Sequence, residues 1–354
     1  EKVRQTRLWS PKERRWIVGD FPAAIVQRGP DGKRLPTGVR FGVLRPGGMA
    51  SILVRSESCA GLWHFDGSRW VQQPDGLAGL EIGQPGQPAQ PIFTCRAGRD
   101  QGARLWDIDG DGRCELIVGG PAGQAVFRYQ EGRTPCWQKL PYRLPEGTAV
   151  VDAEGRDAGL RLVDLNGDGK LDVVFSDVRR YGIYLFTSPE AGWGQTVVSV
   201  ERTDPNDFAK LVASLQADEK KPKGAEKPAS KGASGSGTAA AYPRLSILPP
   251  FVRADGTNNG ASFAHGALWV QNEDTGGLLP SHVARWTLQE LLEWGKTSPH
   301  PLPGSEKPVS SVEGDRGARI RSVSSGNDGR GTSPTDATPS GIPAASPPPC
   351  RDCQ

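Results

Sequence analysis

One sequence unit recurs three times in this chain, and that recurrence constrains the fold more than any other feature. Equivalent arginines, Arg40, Arg104 and Arg161, lie 64 and 57 residues apart. Each is followed by a turn, an apolar run, a second apolar run and a tryptophan. Repeats of this size each form one small structural unit, and neighbouring units must stack to bury their faces. The recurrence therefore predicts stacked copies of a single unit.

The apolar runs of each unit are short and rich in β-branched and aromatic residues, which favours buried strands over helices. The first runs are residues 52–54, 116–118 and 173–175, and the second runs are residues 61–65, 125–129 and 182–186. Partial copies flank them at residues 6–17 and 263–270. We expect an all-β fold in which each copy is a four-stranded blade of a β-propeller, with three clear blades and two partial ones.

Two of the turns carry the same nine-residue pattern. In residues 107–115 (loop 1) and residues 164–172 (loop 2), positions 1, 3, 5 and 9 hold oxygen-bearing side chains, and position 6 is glycine. Ca²⁺ takes about 6–8 oxygen ligands, which alternating side chains of a tight turn can direct at one centre. We therefore expect about two calcium ions, one in each loop. The predicted ligands are Asp107, Asp109, Asp111, Glu115 and the carbonyl of Arg113, then Asp164, Asn166, Asp168, Asp172 and the carbonyl of Lys170.

The residues after each loop exclude an EF-hand, which shares the first six positions but needs a bidentate acid at position 12 and flanking helices. Position 12 is Val118 in loop 1 and Phe175 in loop 2. Both loops therefore lead into strands. The equivalent turn of the first repeat, residues 43–51, is predicted to bind no cation because it has lost the acidic donors. Their positions are taken by Val43, Arg45, Gly47 and Ser51.

The loops, their strand context and their spacing resemble the FG-GAP and VCBS repeats of β-propellers, including those of integrin α-subunits and of many bacterial secreted proteins. The resemblance covers residues 38–200. It implies a calcium-stabilised propeller, extracellular or periplasmic, that binds a protein or glycan partner. Residues 249–260 and 269–275 are similar to the propeller segment of planctomycete proteins that carry a membrane-bound dehydrogenase and a haem-binding domain. That similarity implies an alternative role as an accessory domain with a dehydrogenase or cytochrome module as partner.

Catalytic signatures are missing from the sequence, since no hydrolase, zincin or nucleotide-binding motif occurs. We therefore expect a protein that is not an enzyme. A third function class, a polysaccharide-active propeller, would need acids, arginines and aromatic residues on one face. Arg40, Arg104 and Arg161 could contribute to such a face, or they could bind carbonyls and acids between blades. Their burial distinguishes these alternatives.

Charge and hydropathy limit the partners. The net charge of +3 and the scattered basic residues argue against a nucleic-acid partner. No apolar run approaches the roughly 18 residues of a membrane-spanning helix. The chain begins with glutamate, so any signal peptide is expected to have been removed or never included.

Disulfides and free thiols both remain open for the four cysteines of the repeats. These are Cys59, Cys95, Cys114 and Cys136.

Two segments lack the apolar residues that a core requires and are predicted to be disordered. The sequence divides into blades with calcium loops at residues 1–204, a short helix (residues 206–215) and disordered insertion at 205–242, closing strands and a short helix at 243–296, and a disordered tail at 297–354. A capping box from Thr287 to Glu290 predicts one isolated two-turn helix, acting as a connector. Cys350 and Cys353 lack further zinc ligands nearby and are predicted to be an exposed pair.

Overall fold

In the described part of the chain the regular secondary structure is almost entirely β-strand. The computed structural model describes residues 6–10, 12–29, 31–83, 88–204, 248–271 and 283–294. The strands form antiparallel sheets and helix is nearly absent, which confirms the all-β prediction. The predicted insertion at 205–242 with its short helix, the predicted tail at 297–354 and the Cys350 and Cys353 pair lie outside the described residues.

The N-terminal half contains four hairpins and one larger sheet. The first two hairpins are formed by β1 (Thr6–Ser10) with β2 (Arg15–Gly19) and by β3 (Val26–Arg28) with β4 (Arg34–Pro36). Sheet 1 contains β5 (Arg40–Val43), β6 (Ala50–Arg55), β7 (Ala60–Phe65) and β8 (Trp70–Gln72). The next two hairpins are formed by β9 (Glu81–Ile82) with β10 (Gln90–Pro91) and by β11 (Cys95–Arg96) with β12 (Arg99–Asp100).

Three more sheets follow, and their strands also pair in chain order. Sheet 2 contains β13 (Ala103–Trp106), β14 (Glu115–Gly120), β15 (Gly123–Tyr129) and β16 (Trp137–Lys139). Sheet 3 contains β17 (Leu160–Val163), β18 (Asp172–Ser176), β19 (Arg180–Leu185) and β20 (Gln195–Glu201). Sheet 4 contains β21 (Ala261–Ala264), β22 (Ala267–Gln271) and β23 (Val283–Thr287), and the helix α1 (Leu288–Leu292) comes directly after it.

Each of the three predicted repeats folds as one four-stranded sheet, with the predicted apolar runs in its second and third strands. The two flanking copies differ from expectation. Residues 6–17 form most of a separate hairpin instead of half a blade. Residues 263–270 belong to sheet 4, which is larger than a partial copy because β23 adds a third strand.

Apolar side chains of the central strands are buried on both faces of the sheets. Successive residues of a strand point to opposite faces. Leu116 and Val118 of β14 pack in one cluster with Leu53 of sheet 1. Ile117, between them in sequence, packs instead with Val173 of sheet 3. Sheet 2 is therefore held between sheets 1 and 3, and this explains why its strands are continuous apolar runs.

The helix α1 belongs to the core between sheets 3 and 4. Its capping box is present as predicted, with Thr287 and Glu290 each accepting a backbone hydrogen bond from the other residue. Leu291 and the following Trp294 are buried in the same cluster as Val174 of sheet 3 and Leu268 of sheet 4. The helix is therefore packed in the core and not isolated as predicted, while its role as a connector stays a prediction.

A glycine precedes the first strand of sheets 2 and 3 because the backbone there crosses another strand closely. Gly102 has φ +74°, and a Cβ at this position would overlap the carbonyl oxygen of Gly119 at the end of β14. Gly159 has φ +93° and meets the carbonyl oxygen of Ser176 in the same way. Positive φ and close backbone approach both require glycine here.

We predict that Gly102→Ala lowers the free energy of unfolding by about 3 kcal/mol, because it adds a clash to the strain of a positive φ. The matched control is Gly132→Ala, where φ is +72° but the space around a Cβ is open. Its expected cost is about 1–2 kcal/mol. Urea denaturation of both variants measures the difference, and equal losses would contradict the close approach.

Candidate metal centre

Loop 1 brings three of its predicted ligands together. It connects β13 to β14, and Glu115 at position 9 is the first residue of β14. Carboxylate oxygens of Asp107, Asp109 and Glu115 lie within 4.8 Å of one another. The side chain of Asp111 pairs instead with Arg113, at 2.6 Å from Oδ2 to Nη2. The structure therefore assembles an oxygen-only cluster of three carboxylates.

Backbone amides of the loop fix the orientation of these acids. The amide of Gly112 donates to Asp107 Oδ2 at 2.9 Å, and the amide of Arg113 donates to Asp111 Oδ1 at 2.8 Å. Positive φ at Gly110 and Gly112 permits the reversal that brings the acids to one side. The loop is thus shaped by its glycines and by side chains that bind its own backbone.

The cluster fits a hard divalent cation on two observations. Asp107 Oδ1 is buried and has no hydrogen-bond partner in the described part of the chain, and a buried polar atom without a partner is costly. Burial, followed by repulsion from Asp109, raises the pKa of Glu115 to about 7. A cation would satisfy the oxygen and would favour the ionised form of Glu115. Its ligands would be the three clustered carboxylates.

Arg128 also reaches this cluster, and sequence reasoning missed it. It lies on β15 directly opposite Glu115. Its Nε and Nη2 atoms are 3.0 Å and 2.9 Å from Glu115 Oε1, and Nη2 also donates to Asp109 Oδ2. The cross-strand register brings Arg128 to the cluster, and this register is not readable from the sequence. The one available signal was a charged residue within the second apolar run, residues 125–129.

Loop 2 has the same turn but uses its acids differently. Asp172, the first residue of β18, is fully buried, and its oxygens accept from the amides of Leu165 at 3.0 Å and Phe186 at 2.8 Å. Burial raises the pKa of Asp172 to about 6. The described residues of loop 2 contain no three-carboxylate cluster like that of loop 1. The other predicted side-chain ligands bind loop amides: Asp164 accepts from Gly167, Asp168 and Gly169, Asn166 accepts from Asp168, and Asp168 accepts from Lys170.

The first repeat replaces the position-9 acid with a neutral pair. Ser51 lies opposite His64, with Oγ 2.8 Å from Nδ1. The Nε2 atom of His64 is 3.3 Å from the hydroxyl of Tyr129 in sheet 2. Burial lowers the pKa of His64 to about 4, so the imidazole is neutral near pH 7. A polar contact between sheets therefore occupies the place that carries acids in loops 1 and 2.

The three repeat-equivalent arginines bind acids and carbonyls. Asp100 accepts from both Arg40 and Arg104, each at 2.8 Å, and Arg40 Nε also donates to the carbonyl of Ala103 at 2.6 Å. Arg161 pairs with Asp157 at 2.8 Å. All three side chains are largely buried. Of the two alternatives for the arginines, the structure therefore has the one in which they bind carbonyls and acids. Arg40 joins sheet 1 to sheet 2.

A cleft of about 560 Å³ is the second candidate site. Its walls come from residues 120–121, 149–158, 177–179 and 252–256. The charged residues among them carry both signs, and none of the described residues that line the cleft is aromatic. Arg156 bonds Asp152 at 2.8 Å and donates to the carbonyl of Asp255 at 2.8 Å, which connects two of the walls. The charged lining residues are Asp152, Glu154, Arg156, Asp157, Asp177, Arg179 and Arg253.

Residues 107–175 match the family model of the FG-GAP-like repeat. The chain contains an FG-GAP-like repeat. The match begins at Asp107, the first residue of loop 1, and includes all of loop 2. No curated protein and no solved structure matches the chain. The similarity of residues 249–260 and 269–275 to dehydrogenase-linked propellers therefore receives no support from these comparisons.

Two further observations bear on the sequence predictions. The structure forms no disulfide among Cys59, Cys95, Cys114 and Cys136, so the alternative of disulfides between them is not adopted. Among the described residues, no helix has the length and apolar character needed to cross a bilayer.

We predict that protonation of His64 destabilises the fold in acid. The pKa of His64 is about 4 when folded and near 6.5 when unfolded, so the unfolded state binds the proton first as pH falls. Stability is then lost between pH 6.5 and pH 4. Relative to His64→Gln, the wild-type chain should lose about 2 kcal/mol more between pH 7 and pH 4.5 in urea denaturation. Parallel pH profiles would contradict this.

Proposed function

We propose that this chain is a non-catalytic, calcium-stabilised module of propeller type that binds a protein or glycan partner outside the cytoplasm. FG-GAP repeats are generally extracellular modules that mediate interactions. The observation that carries the calcium part is the three-carboxylate cluster of loop 1 with its unpartnered Asp107 oxygen. A bound cation supplies charge neutralisation and binds only the native state, so it adds to folding stability.

The cleft supports the interaction part of the proposal. Acids and arginines line it, and its described lining residues include none of the aromatic rings that stack on sugars. This lining favours a charged polypeptide segment over a neutral glycan. Arg179 is exposed at the turn between β18 and β19, and its guanidinium has no ion pair among the described residues. Arg179 is therefore suited to bind a carboxylate of a partner.

The two other function classes have weaker support. An accessory role beside a dehydrogenase or cytochrome module rests on the similarity of residues 249–260 and 269–275 alone. A polysaccharide-active site would use Arg40, Arg104 and Arg161, which instead form ion pairs with Asp100 and Asp157. A non-catalytic binding module is consistent with arginines that form ion pairs and needs no reactive group.

We predict that calcium raises the melting temperature of the chain relative to EGTA, by a stabilisation of about 2.7 kcal/mol at one hundred times the dissociation constant of a single site. Asp168→Ala should lower the melting temperature more in calcium than in EGTA, where it loses only the hydrogen bond from the amide of Lys170 and the Lys170 ion pair. The control is Asp66→Ala, since Asp66 binds turn amides outside the two loops. It should lower both melting temperatures equally. Equal shifts for Asp168→Ala in both conditions would contradict a metal role for loop 2.

Arrays of peptides and glycans test the cleft. We expect charged peptides to bind, and Arg179→Ala to weaken that binding by about tenfold through loss of one charge-assisted hydrogen bond. The matched control is Arg69→Ala, an exposed arginine on the turn between β7 and β8. Loss of binding in both variants, or in neither, would exclude this cleft. Glycan binding lost in Arg179→Ala would assign the cleft to the glycan alternative.

A further inference from the structure

Loops 1 and 2 differ most in what lies opposite their position-9 acid. Glu115 of loop 1 pairs in the sheet with Arg128. In sheet 3, Val173 pairs with Tyr184, and continuing this register by one residue puts Leu185 opposite Asp172. The two loops share one donor pattern, but the residue opposite position 9 is an arginine in loop 1 and an apolar leucine in loop 2.

Arg128 binds the same oxygens that a metal ion would require. Its guanidinium donates to Glu115 Oε1 and to Asp109 Oδ2, and these two acids are 1% and 11% exposed. Low exposure strengthens such pairs and excludes water that would otherwise screen them. Loop 2 lacks this arrangement, and the buried Asp172 binds two backbone amides instead. In this respect Arg128 acts as the internal cation of loop 1.

We propose that Arg128 is a built-in counter-cation that holds loop 1 in its folded shape without calcium and lowers the calcium affinity of that loop. This inference rests on the proposed calcium function. A divalent ion entering loop 1 must displace the guanidinium from two carboxylates or bind beside its positive charge, and both effects oppose binding. Loop 1 then contributes less calcium-dependent stability than its three clustered carboxylates would give without the guanidinium.

The experiment compares arginine variants in a background with loop 2 disabled by Asp164→Ala. In calcium titration calorimetry, Arg128→Leu should tighten binding to loop 1 at least about tenfold. The control Arg113→Leu removes the same charge from the same loop, but its guanidinium pairs with the exposed part of Asp111 and does not reach Asp109 or Glu115. Its effect should be about two- to threefold. Arg128→Lys, which keeps the charge, should stay near the wild-type affinity.

A second readout is stability without metal. In EGTA, Arg128→Leu leaves Glu115 buried without its cation and should lower the melting temperature, whereas saturating calcium should restore it. Arg128→Gln serves if the leucine variant does not fold, because it retains a donor to Glu115 and removes the charge. Arg113→Leu should melt alike in both conditions relative to the unchanged chain.

The outcomes separate this inference from the proposed function. Calcium binding to loop 2 of the unmodified chain, with Arg128→Leu no tighter at loop 1 than Arg113→Leu, would overturn the inference alone. Absence of calcium binding from both loops in every variant would overturn the inference and the calcium function together. A tenfold gain with restored melting in calcium would establish Arg128 as the residue that sets the affinity of loop 1.

Discussion

The structure depends on face-to-face stacking of sheets that are buried on both sides. A blade-sized sheet taken alone would expose two apolar faces, so each repeat needs a neighbour. In β14, Leu116 and Ile117 point to opposite faces and join different clusters with sheets 1 and 3. Helix α1 completes the same pattern between sheets 3 and 4, where Leu291 is fully buried. The loops are carried at the ends of strands whose positions this stacking fixes.

Burial of the strands also buries polar side chains of loop 1, loop 2 and the equivalent turn of the first repeat. Position 9 of each turn is the first or second residue of an inner strand, so its polar side chain is buried at the end of that strand. These buried polar side chains have a different hydrogen-bond partner in each of the three repeats. Ser51 bonds the neutral His64, Glu115 bonds Arg128, and Asp172 bonds two backbone amides. One repeat unit has therefore diverged in electrostatics while its backbone has kept one shape.

Ion pairs and hydrogen bonds also connect neighbouring repeats. Asp100 accepts from Arg40 of sheet 1 and Arg104 of sheet 2, so a single carboxylate ties two sheets together. Arg156 extends this to the turn before sheet 4 through the carbonyl of Asp255. Arg40 and Arg104, which a polysaccharide-binding face would have required, are used in these contacts instead. The turns that carry Arg156 and Asp255 also contribute to the walls of the cleft, so elements that connect sheets shape this surface as well.

The sequence by itself determined what depends on near neighbours in the chain. The strands, the two loop turns and the capped helix follow from apolar runs, glycine positions and the Thr287 to Glu290 spacing, all of which act within a few residues. The tertiary structure decided what depends on register and stacking. It placed Arg128 against Asp109 and Glu115, gave sheet 4 its third strand and assembled the cleft. No local signal encodes these outcomes, because cross-strand pairing joins residues whose separation is set by hairpin length, and contacts between sheets join residues from different repeats.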